Sequence, residues 1–117
     1  MIKHMLFSDC LRTLLSISGI SINRLSRAIT IDNSLVNRWV NGKRIPPYNT
    51  LYIEQISEYI CKHIKNSFQE KQIDELFFTM DKPEDIGYSL EKKIEIILLE
   101  AQGYSIKNKK KRTYYGS

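Results

Sequence analysis

The side chains of this chain that could do chemistry are concentrated between residues 21 and 46. Five cations stand there among small polar side chains, and Asp32 is the single acid. Hydroxyl, amide and guanidinium groups in this pattern suit hydrogen bonding to phosphate oxygens and to base edges. The sequence contains no Ser/His/Asp set for nucleophilic catalysis, no phosphate-binding glycine loop and no dinucleotide-binding glycine pattern. It therefore predicts a binding protein, not an enzyme, with no catalytic residues.

Metal and cofactor chemistry are also disfavoured. The chain has two cysteines, Cys10 and Cys61, and two histidines, His4 and His63. Cys61 and His63 have no second ligand pair at the spacing of a zinc site, and two distant cysteines do not make a disulfide framework. We therefore expect no metal, no cofactor, and reduced cysteines packed on apolar helix faces.

The sequence gives no sign of a membrane or secretory segment. Its longest apolar runs, such as residues 96–99, are far below the roughly 20 residues that span a bilayer. Residues 1–5 lack the apolar stretch and cleavage site of a secretory signal. We expect a cytoplasmic protein with no membrane partner.

Most of the chain is predicted to be helical, because its apolar residues recur at spacings of three and four. The predicted fold is all-α, with helices at about residues 5–17, 22–29, 33–41, 51–65, 69–79 and 90–102. Glycines predict helix ends at residues 19, 42 and 103. Side chains with a capping oxygen predict the helix starts; they are Ser21, Asp32 or Asn33, Asn49 or Thr50, and Ser89.

The second and third predicted helices are short and are joined by a turn of three or four residues, which is the pattern of a helix-turn-helix. In this motif the first helix crosses the DNA backbone and the second presents polar residues to the major groove. Ser26 and Ala28 are small enough to let the helices approach each other. Leu25, Val36 and Trp39 are expected to anchor the pair against the first and fourth helices.

These residues resemble the Cro/cI-like (XRE) helix-turn-helix proteins of phage and bacterial regulators. The resemblance covers roughly residues 5–65, and its most specific part is Trp39 followed by Asn41-Gly42-Lys43 and Pro46. It implies a compact domain of four to five helices that binds double-stranded DNA sequence-specifically. It also implies transcription regulation, for example as a repressor.

Three residues depart from the family pattern. Thr30 stands where the family commonly has a glycine in the turn, and Val40 stands where it commonly has glutamate. Leu35 occupies a position that is often polar in the family. Its side chain could pack inward or contact a thymine methyl group.

The third helix carries the candidate base contacts. Asparagine can pair with adenine, and arginine with guanine, through two hydrogen bonds in the major groove. The alternative is that these side chains are solvent-exposed helix surface without a binding role, and that Asp32 or Asn33 serves only as the N-cap. The candidates are Asp32, Asn33, Ser34, Asn37 and Arg38.

A second group of residues is expected to hold phosphate oxygens, because side chains and backbone N–H groups near helix starts can do so. For Arg24, and for Arg27 one turn further along the same helix, a solvated helix face or a salt bridge is an equal alternative. Lys43 and Arg44 directly follow the third helix, which favours a DNA contact. The full set is Ser21, Asn23, Arg24, Asn41, Lys43 and Arg44.

Helix-turn-helix modules usually bind DNA as dimers, and we expect a homodimer here. Residues 67–104 are therefore predicted to be a helical extension of the domain at residues 1–66, with a role in assembly. The alternative is that its apolar stripe packs back on that domain. The candidate dimer contacts are Phe77, Phe78, Leu90, Ile94, Ile97, Leu98 and Ala101.

The formal net charge of +5 is composite. Residues 1–60 carry seven bases and four acids, residues 61–106 carry six bases and nine acids, and residues 107–117 carry five bases and no acid. We expect residues 105–117 to be a flexible basic tail. It either contacts phosphates without sequence preference or serves solubility alone. Its cations are Lys107, Lys109, Lys110, Lys111 and Arg112.

Two other interpretations stay open. The same fold can be a protein-interaction module, such as an antirepressor or a polymerase-binding adaptor, and the apolar Leu35 and Val40 favour this alternative. The chain can also be the N-terminal piece of a longer regulator. DNA binding requires one exposed polar and basic face that apolar side chains do not interrupt, formed by Asn33, Asn37, Arg38, Lys43 and Arg44.

Overall fold

The computed structural model describes residues 4–80 and 87–116, with side chains described up to residue 108. All regular secondary structure in this part of the chain is helical, which confirms the prediction of an all-α fold. The helices are α1 (Phe7–Ser18), α2 (Ile22–Ala28), α3 (Asn33–Val40), α4 (Tyr52–Lys62), α5 (Ser67–Phe78) and α6 (Leu90–Gly116). Among the described helices, none is both long enough and apolar enough to cross a membrane.

The ends of the first three helices follow from local chemistry. Gly19 terminates α1 at a φ of 74°, and its N–H donates to the carbonyl of Leu15. Ser21 caps α2 by accepting a hydrogen bond of 3.1 Å from the backbone N–H of Arg24. Asp32 caps α3 in the same way. The predicted stop at Gly19 and the predicted cap at Ser21 are confirmed, and of the two candidates for α3 the cap is Asp32.

The predicted start of α4 is wrong. Neither Asn49 nor Thr50 caps this helix, which begins at Tyr52 without a side-chain cap. The Thr50 hydroxyl instead donates 2.9 Å to the carbonyl of Pro47, so it closes the preceding turn. The helix also ends at Lys62, three residues before the predicted end.

The buried apolar side chains of the described residues form one core, to which all six helices contribute. Trp39, Leu25 and Val36 are fully buried in it, as predicted. Of the two small residues expected at the helix crossing, Ser26 is buried but Ala28 is exposed, so that part of the prediction is wrong for Ala28. The boundary expected after residue 66 does not separate two cores, because α6 packs on α1, α4 and α5.

Most of the predicted dimer contacts belong to this core. The apolar stripe of α6 lies in the common core, and α6 packs on α1, α4 and α5, so the alternative that the stripe packs back on the domain is the correct one. A periodic stripe shows that a face is buried but not what covers it. The prediction of an intersubunit contact is therefore wrong for Phe77, Ile94, Ile97, Leu98 and Ala101, which are at most 1% exposed. Phe78 is half exposed, and Leu90 is partly buried against the core.

The helix predicted to end at Gly103 passes through this residue and continues to Gly116. A Cβ at Gly103 would meet only the Tyr48 hydroxyl, at 3.6 Å, and the residue needs no positive φ. Helix α6 continues because residues on both sides of Gly103 have buried partners: Gln102 bonds to Pro46, and Ser105 bonds to Phe7. The prediction of a flexible tail from residue 105 is therefore wrong, because the backbone is helical up to residue 116.

Candidate nucleic-acid interface

The turn between α2 and α3 is short and tightly bonded. The N–H of Ile29 donates to the carbonyl of Leu25, and the N–H of Ile31 donates 3.0 Å to the carbonyl of Ser26. Between them, Thr30 adopts a φ of 58°, in the left-handed region that a β-branched residue rarely occupies. Thr30 thus accepts backbone strain where the resembled family commonly has glycine.

Helix α3 separates an apolar inner side from a polar outer side. Val36, Trp39 and Val40 are buried on the inner side. Leu35 is partly buried and packs against the core. The two apolar departures from the family pattern, Leu35 and Val40, are therefore used in packing and do not interrupt the outer side.

The candidate base contacts lie on the outer side of α3. Asn33, Ser34 and Arg38 are exposed, whereas Asn37 is half-buried and its Nδ2 donates 3.1 Å to the carbonyl of Asn33. Asp32 is exposed too, but its Oδ1 accepts a hydrogen bond from the N–H of Ser34. Among the candidates, the side chains of Asn33, Ser34 and Arg38 make no hydrogen bond to the backbone of α3 within the described part of the chain.

The Asn41-Gly42-Lys43 segment closes the C-terminus of α3. The N–H of Lys43 donates 2.9 Å to the carbonyl of Arg38, and the N–H of Gly42 donates to the carbonyl of Trp39. With a φ of 77° at Gly42, this is a Schellman motif. The N–H of Arg44 donates to the same Arg38 carbonyl, at 3.2 Å. The backbone of both basic loop residues is therefore fixed directly to the end of α3.

All six candidate phosphate contacts are exposed. Arg27, on the same short helix as Arg24, is exposed as well. The ion pairs between described residues involve none of the five cations between residues 21 and 46. Asp32 is the one acid between residues 21 and 46, so this stretch has a net charge of +4, which faces solvent. A surface of this kind attracts polyanions.

The loop after α3 is held at its far end by a residue that the sequence analysis missed. Gln102 of α6 is buried, and its Nε2 donates 2.8 Å to the carbonyl of Pro46, which is also buried. The Oε1 of Gln102 is buried without a partner among the described residues. The signal in the sequence was a glutamine four positions after Leu98, on the continuation of the apolar stripe. The loop that carries Lys43 and Arg44 is therefore anchored to both α3 and α6.

The C-terminal part of α6 lies beside this anchored loop. Lys107 is exposed and lines an open groove together with Tyr48, Tyr104 and His4. The rings of His4 and Tyr104 are stacked, with centroids 5.1 Å apart. The side chains of Lys109, Lys110, Lys111 and Arg112 lie outside the described part of the chain. The structure thus places Lys107 near the loop, and for the other tail cations it gives only a helical backbone.

The cysteines do not form a reactive centre. Cys10 is fully buried beneath α6, and its burial, assisted by the nearby charge of Asp9, raises the pKa of its thiol to about 12. Cys61 is half-buried, and desolvation followed by the charges of Glu91 and Glu70 raises its thiol pKa as well. Thiols with raised pKa values are poor nucleophiles at neutral pH. Within the described residues, no group of three potential metal ligands is found.

Comparison of the chain with protein-family models, with curated proteins and with solved structures finds no match.

Proposed function

We propose that this chain is a sequence-specific regulator of transcription that binds double-stranded DNA, of the Cro/cI-like helix-turn-helix type and of bacterial or phage origin. One observation carries the proposal: the outer side of α3, the exposed side of α2 and the loop after α3 form a polar and basic surface. None of the large apolar side chains that are exposed in the described chain lies between residues 21 and 46; Tyr48 and Leu51 follow in the same loop, closer to α4.

In this proposal α3 lies in the major groove and reads base edges. Arg38 is the candidate for a bidentate contact with guanine, since its guanidinium is exposed. Asn33 and Ser34 are further candidates near the start of the helix. The bond from Asn37 to its own helix leaves the amide oxygen and one N–H for adenine.

The flanking residues position the helix by contacting phosphates. Lys43 and Arg44 follow α3 in a loop with little freedom, since it is bonded at Arg38 and at Pro46. A fixed loop loses less conformational entropy on binding than a mobile one. Ser21, Asn23 and Arg24 at the start of α2, and Asn41 at the end of α3, are the other proposed phosphate contacts. The basic end of α6, with Lys107, is proposed to add contacts without sequence preference.

The alternative function, a protein-interaction module such as a polymerase-binding adaptor, loses its main support. It depended on Leu35 and Val40 as surface residues, and both pack on the core. We therefore favour DNA over a protein partner for this face.

The experiment that tests the proposal is selection of bound DNA from a random pool of duplexes by the full chain, repeated at several salt concentrations. We expect one enriched motif, made of two half-sites about 34 Å apart if a dimer binds. Affinity for this motif should fall steeply as salt rises. A pool without an enriched motif, or binding that does not depend on salt, would overturn the proposal and favour the interaction module.

A further inference from the structure

Helix α5 carries an exposed stripe that differs from the rest of the surface. Phe68 and Phe78 are 70% and 50% exposed, which is unusual for large aromatic side chains. Lys71 and Glu75 are exposed between them. The spacings of three, seven and ten residues from Phe68 place all four side chains on one face. The opposite face of α5, with Ile73, is buried.

The two charges in this stripe are not used within the chain. The ion pairs between described residues do not include Lys71 or Glu75, although these residues are four positions apart on one helix. The order, with lysine before glutamate, is the less favourable one for a pair within a helix. Each charge is therefore available to a partner outside α5.

The stripe is complementary to a second copy of itself. Its order is aromatic, basic, acidic, aromatic, and its centre lies at the level of residue 73. When a second α5 runs antiparallel across a two-fold axis at this level, Phe68 lies opposite Phe78 and Lys71 lies opposite Glu75. The symmetry repeats each contact, which gives two aromatic pairs and two ion pairs, as an interface between identical surfaces requires.

We infer that α5 is the dimer interface of this protein and that its occupant is the α5 of a second copy. The inference rests on the proposed function only for the role of the dimer, which is to bring a second copy of α3 to the second half-site of the DNA. Helix α5 packs on α1 and α6, whereas α3 packs on α1 and α2. The stripe and the polar face of α3 are thus different surfaces, and a dimer through α5 leaves the DNA-binding face free.

The size of the stripe sets the strength of the dimer. A helix of 12 residues is about 18 Å long, so an α5 pair alone buries less area than a typical stable dimer. An open groove between α1 and α5, lined in part by Ile17, Glu75 and Leu76, borders the stripe and enlarges the available surface. We expect a dimer that dissociates on dilution and that DNA with two half-sites strengthens by bringing the copies together.

Charge reversal tests the interface without disturbing the core, because both charges are exposed. The full chain is studied by sedimentation equilibrium in the absence of DNA. The parent should reach twice the 13.8 kDa of one chain at high concentration. Lys71→Glu and Glu75→Lys each place like charges opposite one another in both pairs, and each should weaken the dimer at least tenfold.

Two combinations restore the pairing and give the decisive readout. In an equimolar mixture of Lys71→Glu and Glu75→Lys, the two acids of one copy face the two bases of the other, so a heterodimer should form. The double variant Lys71→Glu/Glu75→Lys should dimerise like the parent. Leu51→Ser is the matched control: it removes another exposed apolar side chain, away from α5, and should leave the dimer unchanged.

Replacement of both aromatic residues, in Phe68→Ser/Phe78→Ser, should yield a monomer with an unchanged helical circular dichroism spectrum. A parent that stays monomeric at about millimolar concentration would overturn the inference, as would single variants that dimerise like the parent or a mixture that stays monomeric. Dimerisation is measured without DNA, so failure of the DNA selection leaves the dimer standing. A monomeric parent that still selects a DNA motif overturns the interface alone.

Discussion

The hydroxyl oxygen of Ser105, in α6, accepts a hydrogen bond of 2.6 Å from the backbone N–H of Phe7, the first residue of α1. The two residues are 98 positions apart and both are buried. Helix α1 has Leu6 at its N-cap position, and that residue offers no side-chain bond. A residue near the other end of the described chain therefore does what a serine or aspartate at the N-cap usually does for its own helix.

Replacement of Ser105 by alanine should lower the free energy of unfolding by about 1–2 kcal/mol, because it leaves the buried N–H of Phe7 without an acceptor. Urea denaturation followed by circular dichroism measures this change. The control is Ser16→Ala, at an exposed position of α1, which should stay within about 0.5 kcal/mol of the parent. Equal stabilities of the two variants would show that the bond contributes nothing.

Replacement of Thr30 by glycine should stabilise the protein by about 1 kcal/mol, which is unusual for a change to glycine. At a φ of 58° the threonine side chain is strained, and glycine removes the strain. Thr30→Ala keeps a Cβ and should gain much less, so the pair of variants separates backbone strain from loss of the side chain. Thermal and urea unfolding provide the measurement, and a Thr30→Gly variant less stable than Thr30→Ala would contradict the prediction.

The proposed DNA face predicts different effects for Arg38 and Lys43. Arg38→Ala should cost about 1–3 kcal/mol on the selected motif and relax the preference at one base pair. Lys43→Ala should weaken binding similarly on all sequences and reduce the slope of log affinity against log salt by about 1. Fluorescence anisotropy titrations over a salt series distinguish the two.

Lys62→Ala serves as the control for both variants. Lys62 is an exposed lysine on α4 that pairs with Glu58, and it lies outside the proposed face. Its loss should leave the affinity and the salt slope unchanged. If Lys43→Ala behaves like Lys62→Ala, the loop after α3 does not contact phosphates.

The buried thiol of Cys10 predicts a loss of stability at alkaline pH. Its pKa is raised from 9.0 to about 12 in the folded protein. Between these values the unfolded chain releases the thiol proton while the folded chain keeps it, so stability falls as pH rises. One such group contributes a slope of about 1.4 kcal/mol per pH unit. Below pH 9 both states hold the proton, and the effect vanishes.

The measurement compares the parent with Cys10→Ala at pH 8, 9, 10 and 11. The variant is expected to be less stable at pH 8, because alanine leaves a small cavity. The difference between the two proteins should shrink above pH 9, since the variant lacks the titrating thiol. Parallel pH profiles would contradict the burial of a protonated Cys10.

Features whose cause is local could be predicted from the sequence. The stop at Gly19, the cap at Ser21 and the buried positions Leu25 and Trp39 each depend on a few neighbouring residues, and all were confirmed. The exposure of the candidate phosphate contacts was implied in the same way, by their polarity and their place outside the apolar stripes. The start of α4 failed because the Thr50 hydroxyl had a competing local partner, the Pro47 carbonyl.

Features that join distant parts of the chain could not be predicted. The bonds from Gln102 to Pro46 and from Phe7 to Ser105 span 56 and 98 positions, and no pattern in one sequence identifies such partners. The destination of the α6 stripe was undetermined for the same reason, since an apolar face fits a neighbouring helix or a second chain equally well.

The packing of α6 on α1, with contacts at Ile97 and Ser105, has a consequence for how the protein is made. The ribosome completes the residues of the proposed DNA-binding motif by residue 46, but the core beneath the motif lacks α6 until about 60 more residues have been added. Apolar faces of α1 and α4 are exposed during that time. A nascent chain that ends before Ser105 therefore lacks part of the core on which α1 and α4 pack, and we expect the proposed DNA binding to begin only after synthesis has passed this residue.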